Sequence, residues 1–278
     1  MIRIITDSLC DLTMEHAKEL NIDILPLTVR FGETDYKCGI ELSNEDFYEK
    51  LENGTEAPST AAVNPYEFEE VFKKYVEAGD EVVAILFSKY MSATFQSAAI
   101  AAENIDSDKI HLIDCENGAM GQSLLIKTAV SMRDEGLSAQ EISDKITALL
   151  PRTKTYIVID TMEYLKRGGR ISKSVALIGS LMRLHPVVQV VADGAKPVDK
   201  VKGKKSCNAW LINKLKEKPA DPAYRLIIGH SNAPERAEAF KEQLREAGIT
   251  NEIFITCIGP VVGTHIGPNC LGIGYIEA

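Results

Sequence analysis

The chain has 278 residues, of which 45% are apolar, 26% charged and 6% aromatic, and its net charge is −9. That length suits one large globular domain or two ordinary ones, and an acidic balance without runs of Lys or Arg argues against nucleic acid as a main ligand. No apolar stretch approaches the ~20 residues of a membrane span, the six cysteines form no Cys-x-x-Cys pair or zinc-type cluster and read as reduced thiols, and Met1 to Ser8 leads directly into a strand, so a cytoplasmic protein with no metal and at most transient membrane contact is expected.

Arg3 to Thr6 reads as a first strand, with Asp7 and Ser8 at its C-terminal end, the edge at which open α/β sheets bind ligands. A helix over Met14 to Leu20 follows, and for Asp7 the reading is a tie for that loop, since a bare Asp beside a carboxylate ligand would repel it. Ile24 to Phe31 is expected as one strand, paired with Thr34 to Lys37 across Gly32. Ser43 caps a helix with an acidic first turn. Pro58 and Pro65 bound a stiff loop of small hydroxyl residues including Thr60, a linker unless a ligand approaches it. Pro65 then opens a helix at its favoured first position.

Val82 to Phe87 is an unbroken apolar run of the buried-strand kind. After a short polar loop, Ser92-Ala93-Thr94 stands where a helix begins. Hydroxyls, free first-turn N–H groups and the positive helix end would meet there, as a seat for a small anionic head or as an ordinary capped helix. The spot lacks the glycines and lysine of a nucleotide P-loop. A strand over Lys109 to Asp114 and helices over Asn117 to Asp134 and Ala139 to Leu150 complete a strand–helix alternation, the pattern of a parallel doubly wound sheet.

With Pro151 as the boundary, two α/β domains are expected, 1–152 and 153–278, the first with a parallel sheet and flanking helices, the second mixed. Thr155 to Ile159 is a strand and Thr161 to Lys166 a short helix. Arg167-Gly168-Gly169-Arg170 is either an anion-holding turn or an exposed one. Ser174 to Leu184 is apolar on most faces and reads as a core helix or a cavity wall. Pro186 to Ala192 and Lys196 to Val201 form a hairpin at Asp193-Gly194, and Lys202 to Lys205 opens a helix over Cys207 to Lys216. Leu226 to His230, Pro234 to Ala247 and Glu252 to Ile258 make one further βαβ unit. The stretch Gly259 to Tyr275 holds five glycines and two prolines in 17 residues and is expected as a sharply bent loop around Thr264 and His265, an acid–base or carboxylate-binding imidazole if not a structural one. Leu271 to Ile276 closes the second sheet.

Taken together, Ile5-Thr6-Asp7-Ser8, the Pro58 to Pro65 loop, Ser92-Ala-Thr-Phe-Gln-Ser-Ala, Ile113-Asp-Cys-Glu-Asn-Gly-Ala-Met-Gly, Tyr164-Leu-Lys-Arg-Gly-Gly-Arg-Ile-Ser and Gly259-Pro-Val-Val-Gly-Thr-His-Ile-Gly-Pro resemble the DegV family over the whole chain. The resemblance implies two α/β domains with a tunnel for a long-chain fatty acid between them. It also implies no catalysis by the chain itself, no cofactor beyond the bound fatty acid, and presentation of that acid to a separate fatty acid kinase that makes the acyl phosphate. By position, the carboxylate would meet Thr60, Ser92 and His265, with Thr94 and Thr264 close by, while Arg170 and Lys202 would support the inter-domain loop or the partner contact. The chain departs from the family with Thr60-Ala61-Ala62-Val63 in place of Thr-Ser-Gln-Pro, Ser92-Ala93-Thr94 in place of Ser-Gly-Thr, His185-Pro186 where Lys-Pro is common, and Lys202 where Arg is common. Lys cannot make the two-pronged contact of Arg. The competing reading is an acyl hydrolase using Ser92 or Ser97 with His265 and Asp7 or Asp114, against which no Gly-x-Ser-x-Gly elbow precedes the helix.

Overall fold

The computed structural model describes residues 1–173 and 184–278. Strand β1 (Ile2–Asp7) leads through a 3-10 turn and α1 (Met14–Leu20) to β2 (Ile22–Leu25). Then follow β3 (Thr28–Phe31), β4 (Thr34–Lys37), α2 (Asn44–Asn53), β5 (Ser59–Ala61), α3 (Pro65–Glu77), β6 (Glu81–Leu86), α4 (Thr94–Ile105), β7 (Ile110–Asp114), α5 (Met120–Asp134) and α6 (Ala139–Leu149). The first sheet has the order β2-β1-β6-β7, and every pairing in it is parallel. Helices on a parallel sheet leave its strands dry on both faces, hence the unbroken apolar run of β6, where Val82 to Leu86 are all buried.

The second half holds β8 (Thr153–Val158), α7 (Glu163–Gly168), β9 (His185–Val191), β10 (Gly194–Val201), α8 (Lys204–Glu217), β11 (Leu226–His230), α9 (Pro234–Glu246), β12 (Ile253–Cys257), α10 (Pro260–Ile266) and β13 (Leu271–Ile276). Its sheet runs β10-β9-β8-β13-β11-β12; only β11 and β12 pair in parallel, as the βαβ reading requires. The β9–β10 hairpin turns at Asp193-Gly194, where Gly194 has φ +142. The apolar helix expected over Ser174 to Leu184 lies, but for Leu184, outside the described residues.

Helix α5 touches strands of both sheets and is buried without interruption from Met120 to Val130. Room for it comes from glycines in the second sheet. A Cβ on Gly229, Gly272 or Gly274 would fall 2.1, 2.5 or 2.7 Å from a Met120 side-chain atom, so these strand glycines mark a close approach. One apolar cluster accordingly runs from Ile4 of β1 through α5 to Ile227 of β11.

Three local expectations are corrected. Ile24 to Phe31 is two strands, because Pro26 lacks the N–H a ladder needs and restricts its predecessor; β2 joins the first sheet and β3 a small antiparallel sheet, β4-β3-β5. The Pro58 to Pro65 loop contains β5, whose Thr60 lies opposite Val29. The glycine-rich tail is helical over Pro260–Ile266. Glycine is a poor helix former, yet here it permits packing: a Cβ on Gly263 would stand 2.6 Å from the Phe47 ring and 2.9 Å from the Tyr48 hydroxyl.

Candidate ligand cavity between the sheets

Where the two sheets face one another lies a cavity of about 290 Å³, near the lower end of the ~300–1,000 Å³ usual for small-molecule sites. Each element delivers its residues by an identifiable local cause. The turn after β1 brings Leu9, and Ala62 follows β5. The loop after β6 brings Phe87, Met91 and Ser92, and the turn before α5 brings Gly118 and Ala119. The second sheet supplies Ile157, Val188 and Val190, and α10 supplies Val261 and His265. The wall is therefore mostly aliphatic, with Thr60, Ser92, Arg170 and His265 as its polar members.

The polar members are tied to one another and to the walls. Thr60 Oγ1 is 3.2 Å from His265 Nε2. The other imidazole nitrogen, Nδ1, is buried with no hydrogen-bond partner among the described residues, and it lies where Gly168 leaves space, since a Cβ there would be 2.1 Å away. Burial first, then the positive charges of Arg170 and Arg167, lower the His265 pKa to about 4. At neutral pH the ring is thus neutral, with one N–H to donate. Arg170 donates from Nε to the Met91 carbonyl at 3.2 Å and from Nη1 to the Gly168 carbonyl at 2.6 Å, while its own carbonyl accepts from Ala195 N at 2.8 Å. Its chain is thereby fastened to the second sheet and its guanidinium to the loop after β6. Two hydroxyls, a neutral imidazole and a guanidinium at the end of an oily space can receive an acid group; the arrangement offers nothing comparable to a cation.

Thr94 and Thr264 are buried beside the site without lining this cavity. Thr94 Oγ1 is 3.0 Å from Ser92 Oγ, which also accepts from Thr94 N at 3.3 Å, and Thr264 donates to the Pro260 carbonyl at 2.9 Å. Helix α4 consequently starts at Thr94 with Ala93 as a cap residue that offers no side-chain bond, rather than at a Ser92 cap over bare N–H groups. Lys202 is exposed in the turn between β10 and α8 and lines no described cavity. Asp7 is a structural tie: its Oδ1 accepts from Leu9 N at 3.0 Å and Gln122 Nε2 at 3.2 Å, and its Oδ2 from Phe87 N at 2.8 Å. It thereby holds two residues of the cavity wall, and burial raises its pKa to about 6 against the pull of those three donors. Asp114 pairs with Lys89 at 3.5 Å. Among the described residues no carboxylate is bonded to His265, and Ser92 is bonded to Thr94 rather than to the imidazole.

Two wall features escaped the reading of the sequence. Phe87 lies so close over Gly118 that a Cβ there would be 2.0 Å from its ring, and Ala119 holds φ +51, ψ −127 at the start of α5, a conformation that costs a non-glycine residue on the order of 1–3 kcal/mol. The only local hint was the Gly118-Ala119 pair inside the Asp114 to Gly121 motif, and nothing in the sequence pairs it with Phe87.

The fold and cavity define an α/β protein with an apolar small-molecule site between two sheets, closed by two hydroxyls, a neutral imidazole and a guanidinium. A family profile described as "Uncharacterised protein, DegV family" matches residues 1–278, and the chain belongs to the DegV family. A DegV domain-containing protein of Caldanaerobacter subterraneus subsp. tengcongensis is 32% identical over 277 residues, 99% of each chain. Among solved structures, a DegV family protein from Thermus thermophilus described for fatty acid binding superposes with a TM-score of 0.91 at 23% identity, covering 100% of this chain and 99% of that one. A stearic acid-binding protein from Eubacterium ventriosum gives 0.90 at 26% identity, covering 100% and 98%. DegV from Bacillus subtilis, described as a fatty acid binding protein, gives 0.86 at 27% identity, covering 100% and 99%.

Proposed function

We propose that the chain binds a long-chain fatty acid in the cavity between its sheets and presents the carboxyl group to a separate fatty acid kinase, which phosphorylates it, without itself catalysing a reaction. The observation that carries this reading is the makeup of the cavity: an aliphatic wall ending at Thr60, Ser92, Arg170 and His265. The solved relatives at 26% and 27% identity, described as stearic acid- and fatty acid-binding proteins, support it. In this reading the acid group sits against Thr60, Ser92 and His265, with Thr94 and Thr264 behind them. Arg170 braces the loop, Lys202 is available to a partner, and the chain acts in the cytoplasm as two domains, 1–152 and 153–278, one around each large sheet.

A 16-carbon tail has about 14 methylenes, whose burial at ~0.8 kcal/mol each contributes roughly 11 kcal/mol gross. Association takes back several kcal/mol, and each bond to the charged head adds ~1.5–3 kcal/mol. The tail therefore sets affinity and the polar end sets orientation. The test is organic extraction of the purified protein followed by mass spectrometry. Fatty acid recovered at close to one per chain supports the reading; a lipid-free protein that also fails to take up added palmitate sinks it. Adding a fatty acid kinase and ATP then reads out the presenting role by acyl phosphate formation.

A further inference from the structure

A second cavity, also about 290 Å³, lies behind the start of α10 and shares no residue with the first. Its lining includes Ser8, Asp11, Thr13, Asn44, Gly259 and the exposed Glu15, and no Lys, Arg or His. Asp11 is only 4% exposed. Its Oδ1 accepts from Gly259 N at 2.9 Å, while its Oδ2 is buried with no hydrogen-bond partner among the described residues. Two neutral oxygens, of Asn44 and Ser8, lie with Asp11 Oδ1 around Gly259. Asp11 Oδ1, Asn44 Oδ1 and the Ser8 carbonyl stand 3.5, 3.8 and 3.9 Å from the point a Cβ on Gly259 would occupy.

We propose that this cavity is a second binding site, for one small monovalent cation: a potassium ion or a primary ammonium group. A buried carboxyl with a free oxygen is satisfied by a proton or by a positive charge, and these walls carry no cation of their own. Asp11 is the one buried carboxylate of the lining, Glu15 being exposed, so one positive charge balances it, and neutral carbonyl-type oxygens both coordinate potassium and accept from an –NH₃⁺ group. A divalent ion is a poorer match, since hard divalent cations draw on several carboxylates, and among the described residues no group of three or more His, Cys, Asp or Glu is placed to hold a metal ion. An anion has no basic partner here. Burial pushes the Asp11 carboxyl well above the usual carboxylate range, so an arriving cation displaces its proton.

Thermal melts of the full chain at equal ionic strength in potassium chloride, methylammonium chloride and tetramethylammonium chloride test this, the last serving as a reference that is too bulky and has no N–H. The expected result is a Tm that rises with the logarithm of potassium or methylammonium concentration, by roughly 2–4 °C near saturation, and a rise that vanishes in Asp11→Asn. Which of the two cations acts identifies the source. Identical melting in all three salts, or a rise that survives Asp11→Asn, overturns the proposal and leaves a water-filled cavity. Should Asp11→Asn not fold, carboxyl ¹³C NMR of wild-type Asp11 decides. The active cation should move its titration down by a pH unit or more, and an unmoved midpoint overturns the proposal. Neither readout depends on lipid binding.

Discussion

Thr60 Oγ1 and His265 Nε2 stand 3.2 Å apart across 205 residues of sequence. Each is delivered by a device that has nothing to do with the other. Thr60 is set by its register opposite Val29 in the small sheet, and His265 by α10, whose cap residue Gly259 is held by its N–H donating to Asp11 Oδ1. Removing the hydroxyl leaves an imidazole nitrogen without its partner. Thr60→Val, which conserves shape, is expected to destabilise the fold by about 1–3 kcal/mol, read by urea denaturation; a loss under 0.3 kcal/mol would show the pair to be incidental.

His265 also links stability to pH. Its pKa is lowered from 6.5 to about 4 in the folded chain, so the unfolded chain binds a proton the folded one does not as pH falls from 6.5 towards 4. The resulting loss of stability approaches about 3 kcal/mol. Asp7 acts in the opposite sense. Its pKa is raised from 3.8 to about 6, so its contribution is complete below 3.8 and is lost as pH rises through 6. His265→Gln should remove the first slope and retain the second. Stability measured at pH 7 and pH 4.5 should therefore fall less for the variant than for the parent, and parallel falls would refute the assignment.

Gly168→Ala sets two effects against each other. Alanine favours the helix by about 1 kcal/mol, but its Cβ would lie 2.1 Å from His265 Nδ1, and overpacking of this kind costs about 1–3 kcal/mol. The contact is expected to win, with the imidazole displaced from Thr60 and its titration midpoint rising from about 4 towards the ordinary histidine value. An NMR titration of His265 reads this directly, and a midpoint that stays in place contradicts it.

Gly118→Ala should act on the far wall. The new methyl would overlap the Phe87 ring at 2.0 Å and drive it into the cavity. Asp7 holds the Phe87 backbone at 2.8 Å, so the ring must move rather than the chain. The lipid recovered from the variant should shift to shorter acyl chains, or fall in amount, on mass spectrometry; an unchanged profile would mean that the wall yields elsewhere.

Ser92→Ala removes a hydroxyl at the polar end but leaves the aliphatic wall intact. Affinity for fatty acid should fall by the ~1.5–3 kcal/mol of one charge-assisted bond, well short of the tail's contribution, whereas phosphorylation by an added kinase should fall further because the head is misplaced. Equal phosphorylation of lipid on the parent and Ser92→Ala proteins would count against a role for this hydroxyl.

Much of the architecture was legible along the chain. The run Val82 to Phe87, the Asn64-Pro65 helix start and the Asp193-Gly194 turn are short-range signals, and β6, α3 and the β9–β10 hairpin follow them. Where reading failed, a distant partner outweighed local preference. Ser59 to Ala61 is extended because β3 offers it an edge, and Pro260 to Ile266 is helical despite its glycines because Phe47 and Tyr48 require a close backbone. Ser92 stands just outside the first turn of α4, its hydroxyl accepting from Thr94 N while Ala93 occupies the cap position.

What the sequence determined by itself was therefore local: which segments are strands and helices, where hydroxyls, an imidazole and arginines stand along the chain, and which family those motifs belong to. Only the tertiary structure decided that Thr60 meets His265, that Arg170 clasps the Met91 carbonyl, that Phe87 rests on Gly118, and that the His265 ring is neutral. Those outcomes depend on burial and on contacts between residues far apart in the chain. Dielectric surroundings and close packing are properties of the assembled interior, and no periodicity in the chain encodes them.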